Sequence, residues 1–162
     1  MLSGHAFKAG GFVGVISDTH GLVRPEAVEA LKGSELIIHA GDVGGPEVLE
    51  ELGRLAPVVA VRGNNDRGAW AESLAEYEAV EVNSAFVYVL HDLKELDIAP
   101  APAGFRVVVS GHSHKPLIEE QRGVLYLNPG SAGPRRFKLP VTVARLKLNG
   151  GDAAADIINL LP

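Results

Sequence analysis

Between residues 12 and 66 short apolar runs alternate with polar loops and helical stretches. The apolar runs are Phe12–Ser17 (FVGVIS), Glu35–His39 and Pro57–Val61, all of strand length and type. Arg24–Lys32 carries Val28 and Leu31 at helical spacing, with Pro25 in the first turn, where a missing N–H does no harm. Pro46–Leu55 sets Val48, Leu49, Leu52 and Leu55 along one side of a second helix. Strands joined through helical crossovers run parallel, so this order predicts a parallel sheet and an α/β fold.

The second half differs in kind. Tyr77–Val82 and Ala85–Leu90, separated by Asn83-Ser84, read as a hairpin, and Leu117–Gln121 and Val124–Leu127 around Arg122-Gly123 as another. Phe105–Ser110 is a further strand, Leu93–Ile98 offers one helical turn, and Val141–Leu148 and Ala153–Leu160 close the chain as strands. No repeat or low-complexity tract interrupts this order, and APAPAG, the linker-like stretch before Phe105, is too short to separate domains. The expected organisation is a lead over residues 1–11, poorly ordered, and a single domain over 12–162.

Composition sets outer limits. Of 162 residues, 46% are hydrophobic and 22% charged, enough apolar material for a core without covalent staples. The net charge of −5 argues against general nucleic-acid binding, although a local metal site can reverse the field where a nucleotide would sit. The absence of cysteine excludes disulfides, thiolate metal sites and cysteine nucleophiles. The opening residues MLSGHAFKAGG lack the apolar run of a signal peptide, and no stretch has the length of a membrane span. A cytoplasmic location without membrane association is the expectation.

Five polar clusters each follow directly on an expected strand: Asp18-Thr19-His20, Gly41-Asp42, Gly63-Asn64-Asn65-Asp66, His91-Asp92 and Gly111-His112-Ser113-His114. In open α/β sheets ligands gather beyond the carboxyl ends of strands, so five such loops can converge on one site. Imidazole, carboxylate and amide oxygen without thiolate suit manganese, iron, zinc, cobalt or nickel. Magnesium prefers oxygen ligands and retained water, against which four histidines argue. Seven candidate ligands exceed what one catalytic ion with open positions needs, and divide sensibly between two ions if a carboxylate bridges. Two divalent cations against Asp18 and Asp42 leave about two net positive charges by formal counting, a field that favours hydroxide and phosphate.

In this order, DTH, GD, GNND, the single His91 and GHSH resemble the motif series of the calcineurin-like metallophosphoesterases, and the short length and NPGS at Asn128–Ser131 resemble their small bacterial and archaeal phosphodiesterase branch. The resemblance covers roughly residues 12–150. It implies a four-layer αββα sandwich of two mixed β-sheets flanked by helices, with the active site at the C-terminal strand ends. Position by position it places Asp18, His20 and His114 on a first metal and Asn64, His91 and His112 on a second, with Asp42 bridging. It further implies two divalent transition-metal ions, manganese first, and in-line attack on phosphorus by a metal-bridging hydroxide.

Two positions depart from the family pattern. Asn65 stands where many members carry a histidine that can act as general acid. An amide can hold a phosphate oxygen but cannot surrender a proton, so poor leaving groups should turn over weakly unless Asp66, Asp92 or water supplies it. His91-Asp92-Leu93 replaces the usual His-Gly-His, setting an acidic side chain beside the site, and the short segment from there to GHSH suggests a more open cleft.

Plainer readings apply to other positions. Taken singly, Asp18 could cap the following segment, and Gly41-Asp42 and GNND are common turns. His39 lies before AGD with no ligand role in the pattern and reads as a hydrogen-bonded structural histidine. His5 reads as solvated, Asn128–Ser131 as a tight turn able to shape the site floor, Arg135 and Arg136 as solvated charges, and Trp70 and Tyr77 as partly buried core. Three functions compete. A phosphodiesterase is favoured because all seven ligand positions are filled. A metal-binding scaffold of weak or no activity, as a eukaryotic retromer subunit of this fold chiefly is, draws support from Asn65. A phosphomonoesterase or nucleotidase would want more cations than Arg62 and Arg67 beside GNND. The expected partner is a small phosphate ester, and exposed edge strands make a homo-oligomer possible.

Overall fold

A computed structural model describes residues 5–8 and 10–162. Strands β1 (His5–Phe7), β5 (Tyr77–Val82), β6 (Ala85–Leu90), β7 (Phe105–Val109), β8 (Leu117–Gln121) and β9 (Val124–Asn128) form one sheet, in the order β1-β5-β6-β7-β9-β8. Strands β2 (Phe12–Ile16), β3 (Ser34–His39), β4 (Val58–Ala60), β10 (Thr142–Asn149) and β11 (Asp152–Asn159) form the other, in the order β11-β10-β2-β3-β4. Both sheets are mixed, and each contains a run of three parallel neighbours: β2, β3 and β4 in one, β6, β7 and β9 in the other.

Alternation at period two explains how the layers stack. Val13, Val15, Leu36 and Ile38 meet Val80, Val82, Val87, Val89, Val107 and Val109 between the sheets. The alternate residues Ile16 and Ile37 face outward, onto helices α1 (Pro25–Leu31) and α2 (Pro46–Gly53) through Ala27, Leu31, Val48 and Leu52. On the outer face of the six-stranded sheet, Tyr88 and Val108 are covered by Leu93, Leu96 and Ile98, a stretch that includes a 3-10 turn at Leu93–Glu95. The fourth layer is therefore thin, as the single turn expected over Leu93–Ile98 anticipates.

The anticipated hairpin over 77–90 and the strand over Leu117–Gln121 have the expected bounds, and the other anticipated strands and the two anticipated helices differ by a residue or two at their ends. Two elements went unread. Strand β1 takes three residues of the N-terminal lead into parallel pairing with β5, His5 opposite Val80; residues 1–4 and 9 of that lead lie outside the described residues. Helix α3 (Ala69–Glu72) is a single turn.

Three tight turns share one design. Asn83-Ser84, Arg122-Gly123 and Gly150-Gly151 all have positive φ at both central residues, the backbone that matches the twist of paired strands. Because β6 and β9 end where β2 ends, and β10 runs antiparallel to β2, all three tips lie at the sandwich end opposite the polar clusters.

Candidate metal centre

The loops that follow the six parallel strands meet at one end of the sandwich and are bonded to each other across the seam between sheets. Asp18 N–H donates to Gly41 O and His20 N–H to Asp42 O, within the five-stranded sheet. Across the seam, Ala132 N–H donates to Ser17 O, His112 N–H to Asp18 Oδ2 at 3.0 Å, and His91 Nδ1–H to Ala40 O at 2.7 Å. That last bond fixes the His91 tautomer and leaves its Nε2 lone pair facing the carboxylates.

Asp18 Oδ1 lies 3.9 Å from His20 Nε2, 3.8 Å from His91 Nε2 and 3.4 Å from His114 Nε2. Asp42 Oδ2 lies 3.7 Å from His20 Nε2 and 3.4 Å from His91 Nε2. These separations exceed hydrogen-bond length. They are near the roughly 3.4 Å that separates two ligand atoms, each about 2.1 Å from a tetrahedral ion. Two groups of converging ligand atoms result: Asp18, His20 and His114, and Asp18, Asp42 and His91. Asp18 Oδ1, His20 Nε2 and His91 Nε2 are buried without a hydrogen-bond partner. Orphaned lone pairs of this kind are costly unless something satisfies them, and a divalent cation does so with the chemistry of this donor set.

The backbone is bent to aim these side chains. Asp18, His20, Asp42, His112 and His114 all have φ between 48° and 69°, a left-handed conformation that costs a non-glycine residue energy and collects at functional sites. Glycines clear the space between them. Gly41 has φ 99°, and a Cβ there would come within 2.6 Å of His91 Nδ1. At Gly63 a Cβ would overlap Asp42 N and Asp42 Oδ1.

Electrostatics follow the same geometry. Burial raises the Asp42 carboxyl, but the neighbouring His91 imidazole and the hydrogen bonds from Asn65 outweigh it and hold the group well below the usual range. Asp18 is likewise lowered against the effect of burial, chiefly through His114, His91 and Ser17, whose Oγ donates to Asp18 Oδ2 at 2.7 Å. His91 is raised, its burial outweighed by Asp42, Asp18 and the Ala40 carbonyl. In metal-free protein a proton on His91 thus partly answers the two carboxylates, and a metal must displace it.

The remaining anticipated residues fall around this centre. Asn64 is exposed and lines, with His91 and His112, a cavity of about 200 Å³. His112 is 45% exposed and its Nε2 faces Asp92 Oδ2 at 3.8 Å, so it stands at the rim, outside both ligand groups. Asn65 donates to both Asp42 oxygens, from its backbone N–H at 2.9 Å and from Nδ2 at 2.8 Å. Asp66 is buried and its carboxylate accepts N–H bonds from Val43, Gly44 and Gly63. It staples the GD and GNND loops together, which makes it a positioning residue.

His39 is the structural histidine anticipated. Its Nδ1 accepts from Gly41 N–H, so its Nε2–H donates to Thr19 Oγ1 at 2.9 Å, and that hydroxyl donates to Val43 O. Asp18 does not cap a helix: the N-cap of α1 is Arg24, with no side-chain cap. Trp70 packs half-buried beside the helices, whereas Tyr77 is not core but 56% exposed, stacked on Tyr88. The NPGS segment does more than turn. Asn128 Nδ2 donates to Gly111 O and Ser113 Oγ, and Ser131 Oγ to Asp18 O, so the segment braces both the GHSH and DTH loops. Ser17 went unremarked as a site residue because a short hydroxyl next to a motif carries no pattern of its own.

Comparison with known proteins agrees with this geometry. Residues 12–151 match the family described as the calcineurin-like phosphoesterase superfamily domain, and the chain belongs to that family. It is 41% identical over 157 residues to a probable metallophosphoesterase of Methanothermobacter thermautotrophicus, covering 90% of this chain and 91% of that one. An archaeal phosphodiesterase of known structure is similar at a TM-score of 0.76 and 25% identity, over 91% of this chain and 100% of that one. The fold extends to a vacuolar protein sorting protein of Entamoeba histolytica solved with zinc (TM-score 0.70, 22% identity, 93% and 100% covered). The family is metal-dependent, and the two ligand groups are its candidate metal residues here.

Proposed function

We propose that this chain hydrolyses phosphodiesters with two divalent transition-metal ions, manganese the first candidate. The observation that carries this is the pair of ligand groups sharing Asp18, whose buried lone pairs have no partner within the protein. The similarity to an archaeal phosphodiesterase supports diesters as the substrate class. Asp18, His20 and His114 would hold one ion and Asp42 and His91 the other, with Asn64 and His112 at the open rim available to complete it. Bound ions would supply Lewis acidity toward phosphoryl oxygens and an activated water nucleophile.

The chain's own groups do the rest. Asp42, oriented by two bonds from Asn65, would present its carboxylate as a metal ligand. Once substrate is present, the Asn65 amide can donate to a phosphoryl oxygen but not protonate a leaving group. Asp66 fixes the loop that carries Asn64 and Asn65. Aryl esters, whose leaving groups need no proton, should therefore be preferred over alkyl esters. A cysteine-free chain suits a reducing cytoplasm.

Elemental analysis of purified protein, followed by hydrolysis of a bis-aryl phosphodiester and an aryl monoester with added manganese, tests this reading. The expected result is two metals per chain and diester turnover that Asp42→Ala abolishes. Folded protein that binds metal yet turns over neither ester would move the chain to the scaffold reading, and a faster monoester would make it a phosphomonoesterase.

A further inference from the structure

Two cavities flank the wall made by Asp92 and His112, and they differ in character. The smaller, about 200 Å³, is lined on its outer side by Glu76, Asp92 and Glu95, and its single cation, Arg62, is already paired with Glu76 at 3.2 Å. The larger, about 680 Å³, lies on the other side of the same wall and carries Leu93, Pro116 and Leu117 together with Lys94 and Lys115. Among the described residues neither lysine has an ion-pair partner, although the protein as a whole is acidic. Leu117 is held in place by the ladder that pairs it with Asn128, the residue bracing the GHSH loop.

Building on the phosphodiesterase reading, we propose that the larger groove seats one ester arm of the substrate and selects an apolar ring bearing a second negative charge. A diester at the metal centre has two arms and two cavities to fill. Asp92 lines both cavities, so the contrast lies in the rest of the walls: an anionic arm is repelled by Glu76 and Glu95 of the smaller and attracted to the two unpaired ammonium groups of the larger. Leu93, Pro116 and Leu117 offer a ring the apolar contact that the smaller cavity, walled by charged side chains, lacks. The asymmetry thus sets both which arm is recognised and which way round the substrate lies.

Calorimetric titration of manganese-loaded protein with methylphosphonate, phenylphosphonate and 4-carboxyphenylphosphonate tests this without requiring turnover. Affinity should rise along that series, by about tenfold overall, the equivalent of about 1.4 kcal/mol. Leu117→Asp should remove the advantage of the ring, and Lys115→Glu, or independently Lys94→Glu, the advantage of the carboxylate. All three side chains are exposed, and methylphosphonate binding by each variant reports an intact metal centre. Equal affinity for the three ligands in wild type, or wild-type ratios in the variants, overturns the groove while leaving the phosphoesterase reading standing. Failure of all three ligands to bind, methylphosphonate included, overturns that reading and the groove with it.

Discussion

At the scale of single residues, two histidines titrate in opposite senses and should give metal-free protein a stability maximum. His39 is fully buried and neutral, its pKa lowered by that burial from 6.5 to about 4. A histidine lowered on folding stabilises above its unfolded value, and that stability is lost as pH falls from 6.5 toward 4. His91 is raised by Asp42 and Asp18 in spite of burial. Its contribution is complete below 6.5 and is lost as pH climbs through its folded value. Denaturant unfolding of chelator-treated protein should therefore be most resistant near pH 6.5, with an acid limb of at most about 1.4 kcal/mol per pH unit from His39. His39→Gln should flatten the acid limb and leave the alkaline one; an unchanged acid limb would show that other groups govern it. The candidate ligands could be picked out because Asp, His and Asn stand directly behind apolar runs. The left-handed backbone beneath five of them was not, since no local sequence rule assigns φ near 55° to aspartate or histidine.

At the scale of elements, the loops are held chiefly by one another, and the NPGS turn is the brace whose loss should be felt furthest. Asn128→Ala would leave the buried Gly130 N–H without its acceptor, and the Gly111 carbonyl with the Ser113 N–H alone, at a cost of about 1–3 kcal/mol. The same change frees the loop that carries His114, so metal affinity should fall by roughly 10–100-fold. Unfolding and metal titration of one variant check both, and a loss of stability with unaltered metal affinity would confine Asn128 to the fold. Strands such as Tyr77–Val82 and Ala85–Leu90 could be read because each carries its own apolar pattern and a turn residue able to take positive φ. Strand β1 could not: three residues hold no period, and their conformation comes from pairing with β5, some seventy positions away. Helix α3, at four residues, fails for the same reason. His112 was legible as a ligand type, but its turn toward Asp92 depends on a neighbour in the folded chain.

At the scale of the whole molecule, the two ligand groups draw on both sheets. Asp18, His20 and Asp42 follow strands of the five-stranded sheet, and His91 and His114 follow strands of the six-stranded one. Metal should therefore stabilise the sandwich as a unit and not one sheet alone. At a free manganese concentration of a hundred times Kd the gain should be about 2.7 kcal/mol, seen as a rise in thermal midpoint. Asp42→Ala should lessen that rise, and the transition should remain single in both states. Two resolved transitions in the loaded protein would show instead that the sheets unfold separately.

The placement of the three positive-φ tips has a practical corollary. Asn83-Ser84, Arg122-Gly123 and Gly150-Gly151 all lie at the end of the sandwich away from the ligands. One pole of the molecule is committed to chemistry and the other is editable. A peptide tag, fluorophore or surface linker spliced between Gly150 and Gly151 should leave metal content and diester turnover at wild-type levels, whereas the same splice between Gly111 and His112 should abolish both. The chain is thus an orientable hydrolase, one that can be tethered with its reactive mouth facing outward.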